Sequence, residues 1–156
     1  MLKLNSRELP TVTFRRVLPE YLGPGGECFF AADARAGGAA NPAYLGATER
    51  AMLIAAVKDL RLKAVITDEA EISEKSADIL RDTFRARLGA MYDVCVIEWQ
   101  SNIMDGDGPI ICNRENFMAL LDAHVPEIGQ ALLELEAEVL AAGNAILSET
   151  KATIKN

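Results

Sequence analysis

Through the second half of the chain, apolar residues return every three or four positions, the spacing of one helix face. The clearest run is Ala77, Leu80, Phe84, Leu88, Met91 and Cys95. It predicts the longest helix, starting at Ser73 or Ser76, as an amphipathic stripe. The other face carries Arg81, Arg85 and Arg87, in reach of Asp78 and Asp82 one turn away, and reads as solvated. Thr48–Val65 is a second helical pattern, with Met52, Ala56, Leu60 and Lys63 on one line and Leu53, Val57 and Ala64 beside it. Just before it, Asn41-Pro42-Ala43-Tyr44 has the form of a helix start, Asn as cap and Pro at the first helical position. Pro126 is placed to open the last helix. There Ile128, Leu132, Leu135, Val139, Ala142 and Ile146 alternate four and three apart, and Leu133, Leu140 and Leu147 form an adjacent line. That apolar face is wider than one packing contact uses. One line is expected to turn inward and the other to meet a partner, either a second copy or a helical client. Gly129 and Gly143 either weaken this helix or allow a close approach.

The N-terminal pattern has a different period. Thr11–Leu18 alternates, with Val12, Phe14 and Arg16 on one face and Thr13, Arg15 and Val17 on the other, as in a strand. Gly23-Pro24-Gly25-Gly26 is a turn, and Glu27–Ala32 is the return strand of a hairpin. Leu2–Pro10 is an edge strand or a frayed tail. Between the patterned segments, 34–47 is expected to be a flexible link, Asp68–Glu74 an acidic linker and 148–156 a polar tail. The whole reads as a single domain, mainly α (α+β): a β-hairpin region at 1–33, then a helical body at 48–147 with four or so helices.

The segment Met91–Leu121 joins the two large helical patterns. Its apolar run Val94-Cys95-Val96-Ile97-Glu98-Trp99 continues the helical spacing from upstream. Asp105-Gly106-Asp107-Gly108-Pro109 then reverses the chain, since both glycines permit positive φ and the proline cannot continue a helix. Asn113 is placed to cap a new helix, with Glu115 in its first turn. Trp99, the only tryptophan, reads first as core, packing the long helix against the last two. As a large aromatic it is also a candidate partner anchor.

Composition narrows the function classes. A net charge of −7 argues against a nucleic-acid binder, which needs a basic face, and against anionic membrane surfaces. Half of the residues are hydrophobic yet only 6% are aromatic, which favours Ala- and Leu-rich helices over strands. Cys28, Cys95 and Cys112 lack the close spacing of a metal site or a disulfide framework and fit a reducing compartment. Met1–Pro10 lacks the apolar core of a signal peptide, and no run approaches the ~18 apolar residues of a membrane span. A cation loop of EF-hand type starting at Asp105 fails, because Pro109, Ile110 and Asn116 stand at the fifth, sixth and twelfth positions. The glycine cluster at 23–26 lacks the Lys-Ser/Thr of a phosphate loop. His124, the single histidine, has no nucleophile marked beside it and reads as a surface or capping residue. No catalytic residue, metal or cofactor is expected, and enzyme activity is not.

Val96, Trp99, Asp105, Gly106, Gly108, Pro109, Asn113, Glu115, Asn116, Leu120 and Leu121 together form a structural signature: Trp, acidic-Gly turn, apolar pair, cap, short Leu-rich helix. In this it resembles the tail assembly chaperones of long-tailed, siphovirus-like bacteriophages. The resemblance implies a non-enzymatic role in the cytoplasm of the bacterial host. Such chaperones bind the tape measure protein, keep it soluble and help tail-tube protein assemble around it. On that reading Leu133, Leu140, Leu147 and Trp99 are the candidate partner-binding residues, with self-association through the C-terminal helix a further expectation. The alternatives are a tail or connector subunit retained in the virion, or a bacterial helical adaptor.

Overall fold

The computed structural model describes residues 8–23 and 25–155, with side chains through residue 149. The expectations for residues 2–7, Pro24 and Asn156 lie outside the described residues. Two strands, β1 (Thr11–Leu18) and β2 (Cys28–Arg35), form the N-terminal hairpin, followed by two long helices, α1 (Pro42–Val65) and α2 (Glu69–Val94). Then come β3 (Val96–Ser101), the short strands β4 (Met104–Asp105) and β5 (Gly108–Pro109), helix α3 (Arg114–Ala119), and the last helix α4 (Pro126–Lys155). The fold is α+β: among the described residues, four α-helices and an antiparallel sheet begun by the N-terminal hairpin.

β1 pairs with β2 antiparallel, Phe14 opposite Ala32 and Leu18 opposite Cys28. The face division read from the alternation holds: Phe14 and Leu18 are buried, Val12 and Arg16 half-buried, while Thr13, Arg15 and Val17 face solvent. The return strand runs three residues further than the pattern indicated, because β2 has partners on both sides. Its second neighbour is β3, antiparallel, with Ala32 opposite Trp99 and a register irregularity at Asp33/Ala34. The apolar run at 94–99 is therefore not helix. Cys95 ends α2 and Val96 begins a strand, because Val, Ile and Trp suit a pleated surface and β2 offers a free edge.

Caps explain the other boundaries. The Asn41 side chain accepts from the Tyr44 N–H at 3.3 Å with Pro42 at the first helical position, as the sequence indicated. Asn113 likewise accepts from the Asn116 N–H at 2.8 Å. By contrast, Asp68–Glu74 is not a linker. The Asp68 carboxylate accepts from the Ala70 N–H at 3.0 Å, and Glu69 and Glu71 sit in the first turn of α2, where the helix dipole favours them. The polar segment at 148–155 continues α4 as helix. Gly106 alone takes a positive φ, 66°, in the β4–β5 turn, the pattern of a two-residue II′ hairpin.

One core unites sheet and helices. Phe14, Leu18 and Phe30 from the sheet meet Ile128, Leu132, Leu135 and Val139 of α4. Phe30, Trp99 and Phe117 form an aromatic cluster with ring centroids 5.8 to 6.2 Å apart. The segment at 34–47, expected to be a flexible link, is ordered instead: Ala34 and Ala36 are fully buried, the Gly37 N–H donates to the Val139 carbonyl at 3.0 Å, and α1 already begins at Pro42. Of the arginines on α2, only Arg81 takes its expected partner, Asp78, at 3.4 Å. Arg85 reaches Asp122 at 2.6 Å, and Arg87 reaches the buried Glu136 of α4 at 2.9 Å, so this face ties elements together.

Candidate interaction surface

Trp99 is inside the protein. Its ring is 3% exposed, and its Nε1–H donates to the Asn113 carbonyl at 3.1 Å, a partner that a buried indole needs. It joins β3 to the start of α3 and offers no surface to a partner. On α4 the seam and the second line separate as expected in direction but not in extent. Ile128, Leu132, Leu135 and Val139 are buried, and Leu133 is 47% exposed. Leu140 is half-buried against the Gly38 turn, and Leu147 is half-buried. The three leucines of that line are thus not one open stripe.

The broader apolar surface lies elsewhere. α1 and α2 form an antiparallel hairpin anchored only at its base. Tyr44 and Thr48 are buried at one foot, Leu88, Gly89 and Met91 at the other. Between Thr48 and Leu88 no residue is buried, although α1 has the composition of a core helix. The side of α1 turned to α2 carries Ala51, Ala55, Lys58 and Leu62, with Ile54 at its edge, and they line shallow gaps with Ile79, Thr83 and Ala86 of α2. Both lines read from the sequence, through Met52 and through Leu53, point away from α2. Leu53 is 66% and Leu60 70% exposed, with Met52 and Ile54 also more than half exposed. A helix apolar on every side is normally covered on every side, and this chain covers one. Sequence periodicity located these residues but could not show which side α2 would take.

The rest of the described surface holds a further groove and the single histidine. A groove beside α2 and α3 is floored by Gly89, Ala86 and Ala90 and rimmed by Arg85, Asp93 and Arg114. Two of its arginines are held by carboxylates, Arg114 by Asp93 through two bonds of 2.6 and 3.0 Å and Arg85 by Asp122 outside the groove, and Arg50, Lys58, Asp82 and Glu115 also line it. His124 lies exposed in a left-handed turn, φ 53°, before α4. The described residues hold no cluster of three or more His, Cys, Asp or Glu suited to a metal, and no helix among them is long and apolar enough to cross a membrane. No family profile, curated protein or solved structure matches the chain.

Two buried groups at the foot of α1 give the protein a pH response. Burial pushes the Cys95 thiol from its ordinary value near 9 up to about 11, with Arg35 opposing. Burial, then the nearby Glu136 carboxylate, pushes Tyr44 up to about 12. Each group stays protonated in the folded chain at a pH where the unfolded chain has already released the proton. The unfolded state then binds fewer protons, and stability falls as pH rises. We expect a decline beginning near pH 9 and steepening through pH 11, with Cys95 contributing on the order of 2 kcal/mol. Urea melts across that range should show it, and Cys95→Ala should make the decline shallower, most clearly between about pH 9 and 10, where Tyr44 does not yet contribute. A flat wild-type profile would place the thiol in contact with water.

Proposed function

We propose that this chain is a non-enzymatic phage tail assembly chaperone, which binds the tape measure protein in the host cytoplasm and assists assembly of the tail tube around it. The observation that carries this reading is the α1–α2 hairpin, an acidic protein's long apolar helix face left uncovered. A chaperone for a long helical client needs such a face, because an amphipathic client helix buries its own apolar stripe against it. Scattered exposed apolar residues are ordinary, but a contiguous stripe on a projecting hairpin marks an interaction surface. The signature around Trp99 supports the same reading, its role being to lock β3 and α3 under the base of the hairpin.

Co-expression with the tape measure protein of the same genome tests the proposal. The client is expected to remain soluble and to co-purify with this chain, whereas Leu53→Glu and Leu60→Glu together should return it to the pellet. Mass spectrometry of purified particles should not find the chain. Its presence there in fixed copy number would instead make it a structural tail or connector subunit.

A further inference from the structure

We propose that the exposed face of α1 is where two copies of this chain pair, antiparallel, about a two-fold axis near Ile54. The face has a seam of its own. Leu53, Val57, Leu60 and Ala64 are spaced four, three and four apart, all exposed and all on the side away from α2. That spacing is the a/d pattern of a two-helix contact, with Val57 and Ala64 at a, Leu53 and Leu60 at d. The flanking positions then decide the occupant and its direction.

Glu49 and Lys63 stand at the g positions at opposite ends of the seam. In an antiparallel pair g faces g, so Glu49 of each copy meets Lys63 of the other, and the two-fold makes both pairs at once. In a parallel pair, g faces e, and the e positions hold Ile54 and Arg61. Lys63 would then have no acidic group across the interface. Only the antiparallel arrangement pairs the charges.

The same register brings Leu53 beside Val57 of the second copy, Ala56 beside Ala56, and Ile54 beside Ile54. Leu60 lies over the aliphatic stem of Arg50, a stem long enough to cover it while the guanidinium stays in water. At the outer ends Gly46 meets Ala64, and a methyl-sized neighbour fits there, since nothing lies within 4 Å of the Gly46 Cβ position. Lys63 already lies 2.9 Å from Asp59 one turn back, an exposed pair that leaves its other donors free for Glu49. A second copy satisfies both the apolar seam and the charges at its ends. This pairing does not depend on the chaperone reading: a client helix would take the same face in place of the second copy, so the two occupants exclude each other on any one chain.

Sedimentation or light scattering of the full chain over a concentration series is expected to show a reversible dimer. Leu53→Glu with Leu60→Glu should leave a monomer with unchanged far-UV circular dichroism, since neither side chain is buried. Glu49→Lys should weaken the dimer at least tenfold, and adding Lys63→Glu should restore it. Geometry is read by cross-linking in a Cys112→Ser background, the other two cysteines being buried. Ile54→Cys should form an inter-chain disulfide under mild oxidation. Leu60→Cys should not, because its mate would stand about 15 Å away along the axis at 1.5 Å per residue. Self-linking at Leu60 with none at Ile54 would overturn the antiparallel pairing. A monomer at every concentration, even one that captures a helical client peptide on this face, would overturn the proposal outright.

Discussion

Replacing Gly143 with alanine is expected to destabilise the protein by about 2 kcal/mol, while the same change at Gly129 stabilises it by about 0.5–1 kcal/mol. Both glycines lie inside α4, where alanine is the better helix former by about 1 kcal/mol. Their surroundings reverse the sign. Nothing lies within 4 Å of a Cβ at Gly129. A Cβ at Gly143 would stand against the Gly37 carbonyl oxygen, closer than any real contact, with the carbonyl carbon 3.0 Å away. The obstacle is backbone, so no rotamer change relieves it. Nor can that backbone withdraw freely, because the Gly37 N–H is bonded to the Val139 carbonyl and a Cβ at Gly37 would meet Val139 Cγ1 at 2.7 Å. Overpacking a site of this kind costs about 1–3 kcal/mol, sometimes more, which exceeds the propensity gain. Denaturant midpoints of the two variants read the difference directly. If Gly143→Ala proves as favourable as Gly129→Ala, α4 does not lie against the 36–38 segment.

That contact also shows where sequence reading stopped. Ala34-Arg35-Ala36-Gly37-Gly38 looks like a flexible link because small residues pack without any periodic signal. Its order comes from α4, about a hundred residues away. The same limit hid β3. Val94–Trp99 continues the spacing of α2, and only the open edge of β2 makes a strand the better partner. Asp68 was local and legible in principle, since it precedes Glu69 and Glu71 as a cap should, but the acidic cluster read as a linker. Elements whose cause is local came through: the β1 alternation, the caps at Asn41 and Asn113, Pro126, and the buried seam of α4. The interaction surface was half legible. An excess apolar line was expected on α4, where Leu140 turns out to seat against Gly38. The larger excess is on α1, which the sequence displayed openly but gave no means of orienting.

The seam of α4 supports the sharpest contrast between neighbouring positions. Leu132→Glu with Leu135→Glu should abolish folding, whereas Leu133→Glu should stay within about 0.5 kcal/mol of the wild type. Leu132 and Leu135 are fully buried, packed with Ile128 and Val139 against the sheet. Losing each leucine side chain costs about 2–5 kcal/mol in burial and packing. A carboxylate left without a partner in that space adds several more. The core does hold one acid, Glu136, but Arg87 at 2.9 Å compensates it and has no second carboxylate to spare for. Two such changes exceed the roughly 5–15 kcal/mol that a domain of ordinary stability possesses. Leu133 lies between them in sequence yet faces solvent, one position being about 100° around a helix of 3.6 residues per turn. Leu140→Glu should fall in between, since that side chain rests on the Gly38 turn. Circular dichroism melts rank all four positions. Unfolding by Leu133→Glu alone would mean that α4 is rotated from the phase described, or that this side too is covered within one chain.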